Sequence, residues 1–364
     1  MKERIVVIGA GVAGLSAAWL LRQRYEVTLV ERNSYIGGHT HTVEVDSETG
    51  SVPVDTGFIV YNEPNYPLLT RLFDWLGVAT QPTEMSFSAS IDAGSVEYAG
   101  SSLQTLFARP GSLTDLRHLR MLREILDFNR RATRQLQQPS ALTLGGFLQR
   151  HGYSRELRDH YLLPMAAAIW SCPVATMLAY PMHSFSRFFA NHGLLSLRNR
   201  PQWRSVRGGS YLYIKAMLRD LGQRALRNCR VERIRRSADG RWRLDSADGE
   251  LGDFDHVLLA CHADEAWGML APELRAQRAP LAAFRYQKNR AVLHSDSRLM
   301  PRLRRVWSAW NYRCEQDTSG HRAVCVSYWM NRLQRLDSSQ PYFVTLNPLQ
   351  EPAPETVHAR LEYH

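Results

Sequence analysis

Gly9, Gly11 and Gly14, with Glu31 following 22 residues after Gly9, are the residues whose types and spacing first suggest chemistry. In a G-x-G-x-x-G turn the first glycine permits a tight bend and the second lets the backbone approach a pyrophosphate. The third lets a helix pack closely on a strand. Ala13 lies inside the same turn. A carboxylate about 20 residues further on can bind ribose hydroxyls, which is the role Glu31 fits, with Arg32 beside it. Glycine spacing alone is weak evidence, so the flanking elements decide. "RIVVI" before the turn is β-branched, as a buried parallel strand should be. "LSAAWLLRQR" after it reads as a helix whose N-terminal amides face the phosphates. "YEVTLVE" is then a second strand ending on Glu31.

Residues 5 to 21 carry no charge and follow the basic start "MKER", so a secretion signal and a membrane anchor compete with this reading. The run is short of the roughly 20 apolar residues of a span, and neither alternative accounts for Glu31. A nucleotide-binding unit explains more of the residues and implies a cytoplasmic protein.

Bulk properties agree. The chain has 364 residues, 44% apolar and 22% charged, which suits a globular protein with a large core. The formal charge of +10 favours anionic partners. Nearly all the basic residues are arginine, the lysines being Lys2, Lys215 and Lys288. No zinc-finger spacing or RNA-binding strand motif is present, so no nucleic-acid partner is expected. Cys172, Cys229, Cys261, Cys314 and Cys325 are scattered, with no C-x-x-C pair to indicate a disulfide framework or zinc site. His39 and His41 lack companion ligands at a metal spacing, and no metal is expected. There is no G-x-S-x-G elbow for a hydrolase. Cys172 reads as a small buried residue, and His183 and His192 as satisfied core residues.

Further along, Gly37 and Gly38 lie just past the second strand, and "VPVDTGFIVYN" reads as a strand turning at Asp55, Thr56 and Gly57. Residues 66–77 read as a short helix and "FSASIDAGSVEYAG" as a hairpin. The clearest helix spans 112–138, capped by Ser112, with an apolar stripe of Leu113, Leu116, Leu119, Leu122, Ile125, Leu126 and Phe128. Its other face carries six arginines. The plain reading is a solvated face over a core stripe. The sharper one is a surface touching an anionic membrane. Helical segments continue over 141–170, and an aromatic-rich stretch leads to the loop "RSVRGGS" and a helix. "CRVERIRRSADGRWRLDSADGELGDFDHVLLAC" reads as three strands, the last of which, "FDHVLLAC", rejoins the parallel sheet. The remainder mixes strand-like runs into a largely antiparallel sheet.

In order, "VVIGAGVAGLSAAWLL", "VTLVERNSYIGGHTHT", "VPVDTGFIVYN", "RSVRGGS", "VERI" and "DHVLLAC" resemble the flavoprotein superfamily of amine oxidases, protoporphyrinogen oxidase and phytoene desaturases. The likeness covers most of the chain. "LLPMAAAIWSCP" and "YWMNRLQ" are most similar to a bacterial branch of predicted oxidoreductases often found beside cyclopropane-fatty-acid-synthase-like enzymes. The resemblance implies a mixed α/β fold. A Rossmann-like FAD-binding domain would hold an inserted substrate domain of antiparallel sheet and helices. The expected division is 1–65 and 201–268 for FAD, and 66–200 and 269–364 for substrate. It further implies FAD as cofactor. Gly9, Gly11, Ala13 and Gly14 would sit at the pyrophosphate and Glu31 and Arg32 at the ribose. Gly37, Gly38, His39 and Thr40 would lie along the FAD backbone, and Asp55, Thr56 and Gly57 on the flavin side. Arg207 and Gly208, with Gly209, would lie near the ring, and Val231 at the adenine.

Two departures shape the expected activity. Many amine oxidases of this superfamily hold a lysine near the flavin, where Arg290 stands here, with Lys288 two residues earlier. Amine oxidation therefore yields to desaturation, saturation or isomerisation of an apolar substrate by hydride transfer, and the bacterial branch suggests a lipid acyl chain. No catalytic acid or base is assigned. The family's C-terminal glycine-containing loop and helix have no counterpart before His364, which reads as truncation. The rival expectation is a non-catalytic or shortened adenine-nucleotide-binding chain. An enzyme of the lipid type would be cytoplasmic, with peripheral contact to the inner membrane face through 112–138.

Overall fold

The computed structural model describes residues 2–48, 50–137, 141–170, 174–196, 200–316 and 322–363. Cys172 lies outside them. At the centre of the nucleotide-binding half is a parallel sheet in the order Ala225–Leu226, Glu26–Val30, Arg4–Ile8, His256–Leu259. Strand Arg4–Ile8 buries both faces, as its β-branched run requires. Ile5 and Val7 pack with Leu15, Ala18, Ile214 and Met217 of the helices Val12–Leu21 and Tyr211–Leu221. Val6 and Ile8 pack on the opposite side with Val231, Leu244 and Phe254 of an antiparallel meander. The run expected as one strand, "FDHVLLAC", is therefore divided. Gly249–Phe254 closes the meander, and His256–Leu259 enters the parallel sheet. Asp255 makes the break, its carboxylate accepting the Arg4 amide at 2.7 Å.

The second half is built on a seven-stranded sheet, ordered Val357–Tyr363, Asn289–His294, Phe343–Leu346, Arg322–Trp329, Trp310–Gln316, Phe87–Ile91, Val96–Ala99. All pairings are antiparallel except that of Trp310–Gln316 with Phe87–Ile91. Trp310–Gln316 is a strand beyond the expected runs, in which Trp310, Tyr312 and Cys314 alternate with Asn311, Arg313 and Glu315. A helical layer, including Leu116–Gln135, Leu144–Arg150 and Met182–Asn191, packs around Phe128, Phe147, Phe185 and Phe189. Within it, His183 and His192 donate to the carbonyls of Gln135 and Phe188.

The expected domain boundaries need two corrections. Helix Pro67–Leu76 buries Leu72 and Phe73 beside Tyr61, Val206 and Tyr213, and strand Thr80–Thr83 pairs with Trp203–Val206. This segment thus belongs with the nucleotide half, not with a substrate domain starting at 66. Likewise Leu270, Ala271 and Leu274 bury against Val231 and Ile234, so that half extends past 268. In both places it is an apolar face, invisible to composition, that sets the boundary.

His294 ends the strand Asn289–His294 fully buried. Its Nδ1 accepts the Asp296 amide at 3.1 Å, and its Nε2–H donates to Thr345 at 2.7 Å. Burial drives its pKa down to about 4 from 6.5, against the opposing pull of Asp296. The folded state favours the neutral ring, so its contribution to stability is present above pH 6.5 and is lost as the pH falls through about 4. Urea midpoints measured from pH 4 to 7 are expected to fall more steeply with acid in the wild type than in His294→Gln. Parallel curves would refute the assignment.

Candidate FAD-binding site

Two of the three glycines are fixed by packing and one by open space. Gly9 adopts φ +98° and donates to the Val30 carbonyl at 2.9 Å. A Cβ there would stand 2.7 Å from the Ala260 carbonyl oxygen, and one on Gly14 would stand 1.9 Å from that of Gly9. Strand and helix thus touch backbone to backbone. A Cβ on Gly11 would meet only the Gly38 Cα, at 4.0 Å. Gly11 precedes helix Val12–Leu21, which has no side-chain cap and no acidic residue in its first turn. Val12 and Ala13 are exposed at this end. First-turn amides without side-chain acceptors, beside a space a Cβ would fill, form a cradle suited to a diphosphate.

Gly37 and Gly38, at φ +143° and +57°, form the cradle's second wall. The Gly37 amide donates to the Ala10 carbonyl at 3.0 Å, and a Cβ on Gly38 would press on the Gly11 Cα at 3.0 Å. Buried Glu31 accepts the Ala10 amide on Oε2 at 2.9 Å and the Asn33 amide on Oε1 at 3.0 Å. Each oxygen has a further lone pair for a ribose hydroxyl. The residues present therefore fit an FAD. The amides beyond Gly11 would hold its diphosphate and Glu31 its ribose, and the flavin would supply a two-electron hydride acceptor. Glu31→Gln is expected to weaken FAD binding by roughly ten- to a hundredfold, the worth of hydrogen bonds to a charged group. Fluorescence titration with FAD checks this, and unchanged affinity would remove Glu31 from the site.

Other expected contacts take different positions. Arg32 turns outward and pairs with Glu265 at 2.6 Å. Thr40 is buried, its hydroxyl bonded to that of Tyr213 and its carbonyl accepting from Tyr35. Asp55 is buried completely and accepts from Thr42 (2.5 Å), the Ser210 amide (2.9 Å) and hydroxyl (2.8 Å), and Gln334 Nε2 (3.0 Å). The side chains of Thr40 and Asp55 thus brace the site from within, because their polar atoms already have protein partners. Thr56 donates through its amide and hydroxyl to the His41 carbonyl at 2.8 and 3.0 Å, and its hydroxyl also bonds that of Tyr363 at 2.8 Å. Gly57 runs against the His39 carbonyl, which a Cβ would meet at 2.1 Å. The His39 ring lies 5.1 Å from that of Tyr363 and 6.1 Å from that of His262. Burial lowers the pKa of His41 and raises that of Tyr363 to about 12, so both are uncharged at neutral pH.

Arg207 and Gly208 form an exposed turn, Gly208 at φ +81°. Gly209 packs on Thr42, 2.8 Å from its Cγ2 were a Cβ present. The side chain of Val231 is buried against the sheet. Sequence reasoning missed Tyr35, Tyr213, Ser210, Gln334 and Tyr363 as supports. For Ser210 and Gln334 the only signals were their places ending "RGGS" and "YWMNRLQ".

A parallel sheet, a glycine cradle at a helix N-terminus and a buried carboxylate closing the second strand, beside a large second sheet, are features suited to a dinucleotide. The chain belongs to the flavin-containing amine oxidoreductase family, whose sequence profile matches residues 12–339. With that family comes FAD as cofactor. Among curated relatives, a chain named for flavin-containing monoamine oxidase, AofH of Mycobacterium tuberculosis, is 28% identical over 249 residues, covering 65% of this chain and 52% of the relative. A 1-hydroxycarotenoid 3,4-desaturase of Flavobacterium sp. is 34% identical over 87 residues, 24% of this chain and 16% of the relative. This chain thus spans about half the length of the first of these curated relatives. Among solved structures, cyclohexylamine oxidase from Brevibacterium oxydans superposes with TM-score 0.70 at 17% identity, covering 100% of this chain and 84% of the other. A fatty acid isomerase from P. acnes gives 0.62 at 16%, covering 99% and 86%. These structures show the fold.

Proposed function

We propose that the protein moves a hydride between a carbon of an apolar, acyl-lipid substrate and FAD, as a desaturase, saturase or isomerase and not as an amine oxidase. The observation that carries this is the placement of the lysines. Lys288 is exposed and pairs with Glu362 at 3.0 Å. Lys215 is exposed over the Tyr211 ring, and Lys2 is exposed near the N-terminus. Arg290, in the position the superfamily's lysine takes, points outward to Glu351 at 2.5 Å. None of the chain's three lysines is therefore available inside the protein beside a flavin. The desaturase and fatty acid isomerase among the similar proteins support carbon–carbon chemistry as compatible with this family and fold.

The test is spectroscopic. The purified chain, given FAD and passed through a sizing column, is expected to keep the flavin absorption bands. Under anaerobic conditions, saturated or unsaturated acyl substrates are expected to bleach the blue band, and primary amines to leave it unchanged. Bleaching by amines alone would overturn the reading. A colourless protein would support the non-catalytic alternative.

A further inference from the structure

Only part of the apolar stripe expected to bury helix Leu116–Gln135 does so: Phe128 is fully buried, and Leu122 and Ile125 pack partly buried on the core. The buried residues are Met121, Phe128, Asn129 and Ala132. Asp115 caps the helix, accepting the Arg117 amide at 2.9 Å, whereas the expected cap, Ser112, bonds the Arg109 carbonyl. This start leaves much of the leucine stripe outside. Leu116 is 79% exposed, Leu126 56% and Leu119 37%, while Leu113 just before the helix is 67% exposed.

At 3.6 residues per turn, Leu116, Leu119, Arg123, Leu126, Arg130 and Arg134 share an arc of about 80°, diametrically opposite Met121, Phe128 and Ala132. A short helix, Leu103–Leu106, is held against the first turn by His118, whose Nε2 lies 3.1 Å from the Leu106 carbonyl, and its Leu103 is also exposed. Single exposed leucines are ordinary, but three on one arc of a helix, with Leu113 exposed just before it, form an apolar stripe that calls for a partner.

The charge on the same surface identifies that partner. The helix has six arginines against two carboxylates, Glu124 and Asp127. Those carboxylates pair with Arg120, Arg130 and Arg131. Arg123 and Arg134 are exposed and make no ion pair among the described residues. Leucines alternating with arginines on one arc suit a bilayer interface. Apolar side chains enter the acyl boundary while guanidinium groups remain at phosphate level on their flexible stems.

We infer that helix Leu116–Gln135 lies on an anionic lipid surface, with Leu116, Leu119 and Leu126 entering it and Arg123 and Arg134 contacting headgroup phosphates. The inference stands apart from the substrate assignment, since it concerns where the protein sits and not what reaches the flavin.

Flotation of the full chain with phosphatidylcholine vesicles, with or without phosphatidylglycerol, tests it. Binding is expected only with the anionic lipid, weakening as salt rises. A basic residue near such a surface is worth about fivefold in partition, so Arg123→Gln/Arg134→Gln should lose about thirtyfold. Leu116→Gln/Leu119→Gln/Leu126→Gln should lose about a hundredfold or more, from the apolar burial forgone. Both variants should keep the wild-type unfolding temperature, because the altered side chains face solvent. The inference is overturned by no binding to anionic vesicles, by equal binding to neutral ones, or by variants that partition like the wild type. It is also overturned if the wild type is a dimer that the leucine variant dissociates, which would assign the face to a second copy.

Discussion

Gly14→Ala is expected to abolish FAD retention and destabilise the protein by about 3 kcal/mol or more, whereas Gly11→Ala should leave stability within about 1 kcal/mol and weaken FAD alone. The two substitutions add the same methyl group three residues apart, so chemistry does not distinguish them. Surroundings do. At Gly14 the new Cβ would lie 1.9 Å from the Gly9 carbonyl oxygen and 3.0 Å from the Ala260 Cβ. The first of these is fixed backbone, so helix Val12–Leu21 would have to lift from strand Arg4–Ile8 and disturb the packing of Leu15 and Ala18. Overpacking of this kind typically costs 1–3 kcal/mol where side chains can yield, and here a backbone atom stands in the way. At Gly11 the methyl enters the space before the helix amides, where the diphosphate would lie, and touches only Gly38 Cα at 4.0 Å. Displacing phosphate oxygens from those amides removes charge-assisted hydrogen bonds, for an expected loss of about ten- to a hundredfold in affinity. Thermal unfolding without FAD and fluorescence titration with it separate the two effects. If Gly11→Ala binds FAD as the wild type does, the diphosphate does not occupy this cradle.

The contrast between these glycines also shows what a sequence can and cannot reveal. Spacing identified the turn, because only glycine permits both φ +98° at position 9 and the contact at position 14. The strand, the helix and the carboxylate at Glu31 were legible for the same reason: each obeys a local rule of period or offset. Residues whose role depends on distant partners were not. Thr40 and Asp55 lie within the motifs expected to contact the cofactor, yet beside the nearby Tyr35 and Thr42 their partners include Tyr213, Ser210 and Gln334, at least 155 residues away. The helix at 116–135 was legible, and of its expected stripe Leu122, Ile125 and Phe128 do meet the core. The stripe was wider than one side, and period alone does not say which part of it faces inward. Phe128, which enters a cluster of aromatic rings with Phe147 and Phe185, decides that.

Removing the Asp55 carboxylate is expected to have the largest effect on how the two halves hold together. Asp55 ends strand Gly50–Asp55, and Ser210 precedes helix Tyr211–Leu221 in the nucleotide half. Gln334 lies between strands Arg322–Trp329 and Phe343–Leu346 of the other half, and its Oε1 also accepts the Asp55 amide at 2.8 Å. One carboxylate thus joins three separated segments. Asp55→Ala would leave the Ser210 amide, the Ser210 and Thr42 hydroxyls and Gln334 Nε2 without their acceptor, at an expected cost on the order of 4 kcal/mol. Asp55→Asn tests the charge more gently. Burial raises the Asp55 pKa to about 6 from 3.8, overcoming hydrogen bonds from Thr42 and Ser210 that pull it down. The folded state therefore holds its proton more tightly than the unfolded chain. The group's stabilising contribution is full below pH 3.8 and is lost as the pH rises through about 6. With about 1.4 kcal/mol per unit of pKa difference, the loss across that window is roughly 3 kcal/mol. Asparagine carries no such proton, so the difference in unfolding free energy between wild type and Asp55→Asn should shift by about this amount between pH 4 and 6.5, in favour of the variant at the higher pH. Its amide would oppose Gln334 Nε2, donor against donor, which adds a constant penalty and leaves the slope unaffected. Identical pH slopes in the two proteins would mean that Asp55 is not the buried, ionising junction between the halves.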